Sequence, residues 1–218
     1  MKNSYVDFLL CGLVLGLVIA FSYATMAFGA VPLSTVLFGD YHVVVDALVA
    51  LLCYGLYSAL AVRVMLKLHP VVPGVYSLDS PAFTYWKLLT IVYRLGEAAL
   101  IPFTPVFLKP LVESLFGAKI GAGVALGGVI EDPYMVTLGD GVVLGRGSLV
   151  SGNMFANGKI HIGTITIHEG AMVGINATVL PGAEVGAGAQ VTGGAIVIAG
   201  SKIPNGENWR GIPARKWM

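Results

Sequence analysis

Seven aliphatic residues in the C-terminal half fall at every sixth position without a miss: Ile167, Val173, Val179, Val185, Val191, Val197 and Ile203. The intervening text repeats as well, as in Val173-Gly174-Ile175-Asn176-Ala177-Thr178 and Val185-Gly186-Ala187-Gly188-Ala189-Gln190. A helix repeats every 3.6 residues and a simple strand every two, so neither accounts for a period of six. A parallel β-helix does, with one aliphatic side chain per face filling a triangular interior. Gly and small residues belong where the chain turns tightly between faces.

An earlier stretch keeps the same spacing through Ile120, Leu126, Leu138, Leu144 and Val150, with Asp132 at the one missing position. The two stretches are out of step, because seventeen residues separate Val150 from Ile167, one short of three repeats. The slip falls in Ser151–Gly158, whose Gly and Asn residues predict a loop leaving the coil. Loops on a rigid scaffold are favoured places for function.

The N-terminal half is organised differently. No charged residue occurs from Phe8 to Phe38, and Val43–Val62 is interrupted only by Asp46. As a helix, Phe8–Ala30 would be about 35 Å long, enough to cross a hydrocarbon core of roughly 30 Å. A Pro- and Gly-containing connection between the two runs predicts a transmembrane hairpin over 1–63. Lys2, Arg63 and Lys67 flank it, and the connection has no Lys or Arg. Both ends are therefore expected in the cytoplasm, at the inner or plasma membrane. A cleaved signal peptide built on Phe8–Phe21 is the alternative.

Gly12, Gly16, Ala20 and Ala24 place small residues on one helix face, with Gly55 and Ala59 doing the same in the second run. Such faces permit close helix contact, within the hairpin or between subunits. Residues 64–116 are expected to form an interfacial linker. Ser80-Pro81 opens its main helix, and Tyr85, Trp86 and Tyr93 are residue types that settle at headgroup depth. A helix buried against the following domain is the alternative. Residues 117–218 are the β-helix domain. The fold class is thus α+β, with membrane helices followed by a β-helix.

Composition narrows the functions available. Charged residues make up 11% of the chain, and thirteen Lys+Arg against twelve Asp+Glu leave a net charge of +1. Binding of nucleic acid through bulk positive charge is excluded, as is intrinsic disorder. Two cysteines, Cys11 and Cys53, supply neither a disulfide framework nor a thiolate zinc site.

The repeats, together with the closing Trp209-Arg210-Gly211-Ile212-Pro213-Ala214-Arg215, resemble the hexapeptide-repeat, left-handed β-helix acyltransferases, which end in Gly-x-Pro-Ala-Lys/Arg. Within that group the chain is similar to the membrane-anchored units in the C-terminal region of ε-poly-lysine synthetase-type proteins. There a Leu-x-Gly-Ala-x-Ile-Gly segment leads into the coil, matched here by Leu115–Gly121. The likeness is loose over Val43–Met218 and good over Leu115–Met218. γ-Class carbonic anhydrases and inactive scaffolds share the same coil.

The resemblance implies a homotrimer with acetyl-CoA or another acyl-CoA in clefts between neighbouring coils, and a His as general base on a hydroxyl or amine. An alcohol needs a base of pKa near 7 to become a useful nucleophile. In the membrane-anchored relatives that His sits in a Thr-His-Leu-Phe-like loop, which aligns with Gly152-Asn153-Met154-Phe155. Asn153 then stands where the base is expected, and an amide cannot accept a proton at neutral pH.

The remaining candidates for the base are His161, beside the slipped loop, and His168, immediately after the inward Ile167. The default reading of each is an ordinary surface or hydrogen-bonded imidazole, with the base role as the alternative. They leave a three-His zinc site incomplete, and no metal is expected. For CoA the candidates are Asn176, Arg210, Arg215 and Lys216, the cations by charge-assisted hydrogen bonds to phosphate. For the acceptor they are Glu131, Asp132 and Tyr134, in a segment equally read as a plain loop, and Arg146. A membrane lipid, and an acceptor linked to lipid, are the expected partners. A non-catalytic trimeric scaffold is the competing reading.

Overall fold

The computed structural model describes residues 5–217, so Lys2, used above for orientation, lies outside them. The chain divides into two compact units, 1–70 with 84–105, and 71–83 with 106–218.

The first unit is helical. Helix α1 (Tyr5–Thr25) continues through a π-helical turn into α2 (Val31–Phe38), and α3 (His42–Leu68) follows. The helical stretch Asp7–Leu68 is long and apolar enough to cross a membrane, by length and composition. Thr25 Oγ1 and Tyr57 Oη are 2.7 Å apart, tying α1 to α3. Ser34 donates to Asp46 Oδ1 at 2.5 Å, while His42 Nδ1 sits 2.8 Å from Asp46 Oδ2. The carboxylate of Asp46 is thereby satisfied amid apolar residues, where a bare charge would be costly.

Helix α4 (Pro81–Leu100) lies along α3 in the opposite direction. Near its start the Tyr85 hydroxyl is 2.8 Å from the Met65 carbonyl and 2.7 Å from that of His69. At its end Leu100 meets Gly55, where an added Cβ would stand 2.4 Å from Leu100 Cγ and 3.1 Å from the Gly96 carbonyl. The buried residues of α3 are Gly55, Ser58, Ala59 and Val62, mostly small side chains that allow this approach.

The second unit is a three-sided parallel β-solenoid. Its first face stacks β2 (Lys119–Ile120), β5 (Val136–Leu138), β10 (Ile165–Ile167), β13 (Glu184–Val185) and β16 (Lys202–Ile203). The second stacks β3 (Ala125–Leu126), β6 (Val143–Leu144), β11 (Met172–Val173), β14 (Gln190–Val191) and β17 (Asn208–Arg210). The third stacks β4 (Val129–Glu131), β7 (Leu149–Ser151), β12 (Thr178–Val179) and β15 (Ile196–Val197). The residues of the six-residue series from Ile167 to Ile203 are all buried in one continuous core. The core rows form as the periodicity predicts, because identical positions on successive coils pair in register, for example Ile167 with Val185 and Val185 with Ile203.

At the gap in the early series, the inward position belongs to Ile130, which pairs with Val150. Gly127-Gly128 makes the preceding corner short. A Cβ on Gly128 would lie 2.2 Å from Ser148 Oγ and 2.6 Å from the Ser148 carbonyl, so a larger residue would block it. Two residues are thereby displaced into the next corner, where Asp132 adopts a left-handed conformation (φ 55°) and is buried.

The later phase slip is a flap. Strands β8 (Asn153–Ala156) and β9 (Lys159–Ile162) leave the coil as an antiparallel pair. A segment distant in sequence, β1 (Gly74–Ser77), adds to the free edge of β9. Phe83 and Phe155 pack edge to face with centroids 6.1 Å apart.

Additional elements border both ends of the solenoid. Helix α5 (Lys109–Leu115) covers the first coil, with Lys109 Nζ donating to the Gly128 carbonyl and Phe116 fully buried. At the other end β18 (Arg215–Trp217) doubles back antiparallel on β17. Glu207 there accepts from Trp209 Nε1 at 2.9 Å and from Lys216 Nζ at 2.6 Å.

Candidate active site

Side chains at the corners of a solenoid project outward and are held by the rigid coils above and below. The candidate residues occupy all three corners. Asp132, Tyr134, Asn153 and His161 lie at or beyond the corner after the third face, His168 after the first, and Arg146 and Asn176 after the second.

The first of these groupings is a polar cluster. Asn153 Nδ2 donates to Asp132 Oδ2 at 2.6 Å, and Tyr134 donates to Asp132 Oδ1 at 2.9 Å. Beside them Ser151 Oγ is 3.1 Å from Glu131 Oε2 and 2.8 Å from the Asn153 carbonyl. Asp132 is only 2% exposed, and both its oxygens are engaged within the protein. The Asn153 amide is therefore fixed, with its nitrogen turned toward Asp132.

His161 is not part of that cluster. In the register of the flap Asn153 faces Ile162 and Met154 faces His161. Directly paired residues share a face of a sheet, so Asn153 lies on the side of the buried Ile160 and Ile162. His161 lies on the opposite side, between Met154 and Val75. Antiparallel register decides this, and sequence spacing alone could not reveal it.

His168 has a carboxylate partner, Glu184, whose Oε1 is 3.0 Å from His168 Nε2. The side chains are 44% and 46% exposed, and Lys202 Nζ is 3.9 Å from the other Glu184 oxygen. They border a cleft of about 410 Å³ whose floor includes Gly186, Ala187 and Pro204. Glu184 and Lys202 were not singled out from the sequence. The signal was present in the outward residues immediately before Val185 and Ile203, which stack on one face.

The other cations and Asn176 serve the fold in visible ways. Asn176 takes a left-handed turn (φ 55°), and its backbone N–H donates to the Arg146 carbonyl at 3.1 Å. Arg210 pairs across the strands with Arg215, and its guanidinium stacks 4.6 Å from the Trp217 ring centroid. Lys216 Nζ reaches Glu207, and this ammonium, followed by the Trp209 indole, holds the Glu207 carboxyl below the usual range. Among the described residues no group of three or more His, Cys, Asp or Glu is placed to hold a metal ion.

A parallel solenoid of six-residue repeats, preceded by long apolar helices, is the class that these features define. The solved structures that resemble the chain include hexapeptide-repeat acetyltransferases. One, from Vibrio cholerae, is 20% identical, with 47% of this chain and 62% of that chain aligned at a TM-score of 0.43. A maltose O-acetyltransferase from Clostridium difficile is 17% identical over 72% of this chain and 95% of that one, with a TM-score of 0.43. A Caulobacter crescentus protein, solved with CoA and GDP-perosamine, is 22% identical over 47% and 52%, with a TM-score of 0.37. The chain thus spans 62% of the V. cholerae structure and 52% of the C. crescentus one. No protein-family model matches the chain, and no curated protein matches it.

Proposed function

We propose that the protein is a membrane-anchored, CoA-dependent acyltransferase, most simply an acetyltransferase, whose solenoid is a left-handed β-helix working as a homotrimer. The observation that carries this reading is the His168–Glu184 pair on the rim of an open cleft in a six-residue-repeat coil. A carboxylate bound to one imidazole nitrogen fixes the tautomer and leaves the other to exchange a proton.

In this reading His168 takes the proton from an acceptor hydroxyl or amine. The freed lone pair attacks the thioester carbonyl carbon of the acyl-CoA, giving a tetrahedral oxyanion. Collapse breaks the carbon–sulfur bond, and the leaving CoA thiolate receives the proton from the imidazolium. His161, on the outer side of the flap, is the base only for an acceptor presented by a neighbouring coil. Asn153, oriented by Asp132, serves as a polar contact rather than a base, with Glu131, Tyr134 and Arg146 on the acceptor side. Arg210, Arg215, Lys216 and Asn176 are assigned to CoA.

The long apolar helices support anchoring in the inner or plasma membrane as a hairpin, with the coil in the cytoplasm. A membrane site favours a lipid-linked acceptor such as a glycolipid or polysaccharide precursor. Kinship with ε-poly-lysine synthetase-type units is proposed on Leu115–Gly121 and the helices before it. The test is CoA release from radiolabelled acetyl-CoA by the purified full chain with lipid-linked sugar acceptors. Turnover lost in His168→Ala supports the assignment. Unchanged turnover in that variant overturns it. Neither CoA binding nor turnover in the wild type favours the scaffold reading, which the Asn at position 153 motivates.

A further inference from the structure

We propose that α4 is a third membrane-embedded helix, re-entering the bilayer alongside α3 with its exposed apolar stripe against lipid acyl chains; this rests on the anchor reading above. Helix α4 meets Met65 and His69 near its start and Gly55 at its end, so it follows α3 backwards through about 18 Å of that helix. If α3 crosses the bilayer, α4 descends beside it.

Three further observations agree. First, Ile91, Leu95 and Ala98 form an exposed stripe at helical spacing. It continues the exposed apolar surface of α1, because Phe8, Leu10 and Cys11 border the same hollow as Leu88 and Ile91. Second, the ionisable side chains of α4 have opposite charges beside them: Lys87 meets Asp7, and Arg94 lies 3.8 Å from Glu97. Charges taken into a low-dielectric layer require such partners. Third, no charged residue occurs from Ala98 to Leu108, and Ile101 at the turn out of α4 is 67% exposed. The backbone at that turn stays satisfied, with Thr104 N–H donating to the Ile101 carbonyl and Thr104 Oγ1 to that of Leu100.

The experiment uses the full chain carrying Cys11→Ser and Cys53→Ser, reconstituted in phosphatidylethanolamine–phosphatidylglycerol nanodiscs. Single cysteines replacing Thr84, Ile91 or Ala98 are spin-labelled, with Leu13 and Lys159 as controls. Collision with oxygen and with a water-soluble nickel chelate reports depth. The expected result is a progressive inward shift of about 20 Å from Thr84 to Ala98. Equal shallow depth at all three positions, or shielding from both probes at Ala98, overturns the proposal while a deep Leu13 leaves the anchor standing. A label at Leu13 accessible to nickel overturns the anchor itself. Should Ala98→Cys fail to fold, Leu95→Cys reads the same stripe.

Discussion

His168 Nε2 and Glu184 Oε1 stand 3.0 Å apart although they are sixteen positions apart in the chain, because each coil sets its corner beside the next coil's face. If this pair runs proton transfer, His168→Ala lowers kcat by about a hundredfold or more with CoA binding retained. Glu184→Gln, which keeps a hydrogen-bonding group, lowers kcat less than His168→Ala does. Steady-state kinetics of CoA release checks both outcomes.

Asp132 accepts from Asn153 and Tyr134 while almost wholly buried. Asp132→Ala leaves two donors without their acceptor, and about 3 kcal/mol of stability should be lost. Asn153→Asp sets a second carboxylate beside the first and should also destabilise. Denaturant unfolding in detergent measures each variant against wild type.

Gly174 is required by close approach rather than by its own torsion angles. A Cβ there would lie 2.4 Å from the backbone nitrogen of Gly193 and 2.7 Å from the Thr192 carbonyl carbon. The coil above cannot retreat without breaking its ladder. Gly174→Ala is therefore expected to cost about 3 kcal/mol, visible as a lowered Tm.

Glu207 accepts from Lys216 and Trp209, and its carboxyl is held below its usual range by the first and then the second. A pKa depressed in the folded state stabilises above the unfolded value, and that contribution disappears as pH falls through the folded one. The Tm advantage of wild type over Glu207→Gln should be present at neutral pH and vanish on acidification through the carboxylate range. Paired melts at several pH values decide it. A difference independent of pH would refute the assignment.

The inner rows of the solenoid were legible in the sequence because one residue type at one spacing serves one physical purpose, filling the prism. The flap was legible only as a slip in phase. Its third strand, β1, comes from more than eighty residues before β9, and nothing in Gly74–Ser77 specifies that edge. The opposite facing of Asn153 and His161 follows from antiparallel register, which a one-residue shift would reverse. Ile130 replaced the expected position 132 because Gly127-Gly128 permits a shorter corner than the repeat implies. The contact of Gly55 with Leu100 joins segments whose small and large residues had separate explanations.

On the second face of the solenoid the last parallel strand, β17, is followed by the reversed strand β18, so the parallel ladder there gives way to an antiparallel one. A further parallel coil cannot be laid directly onto β17 while β18 occupies that edge.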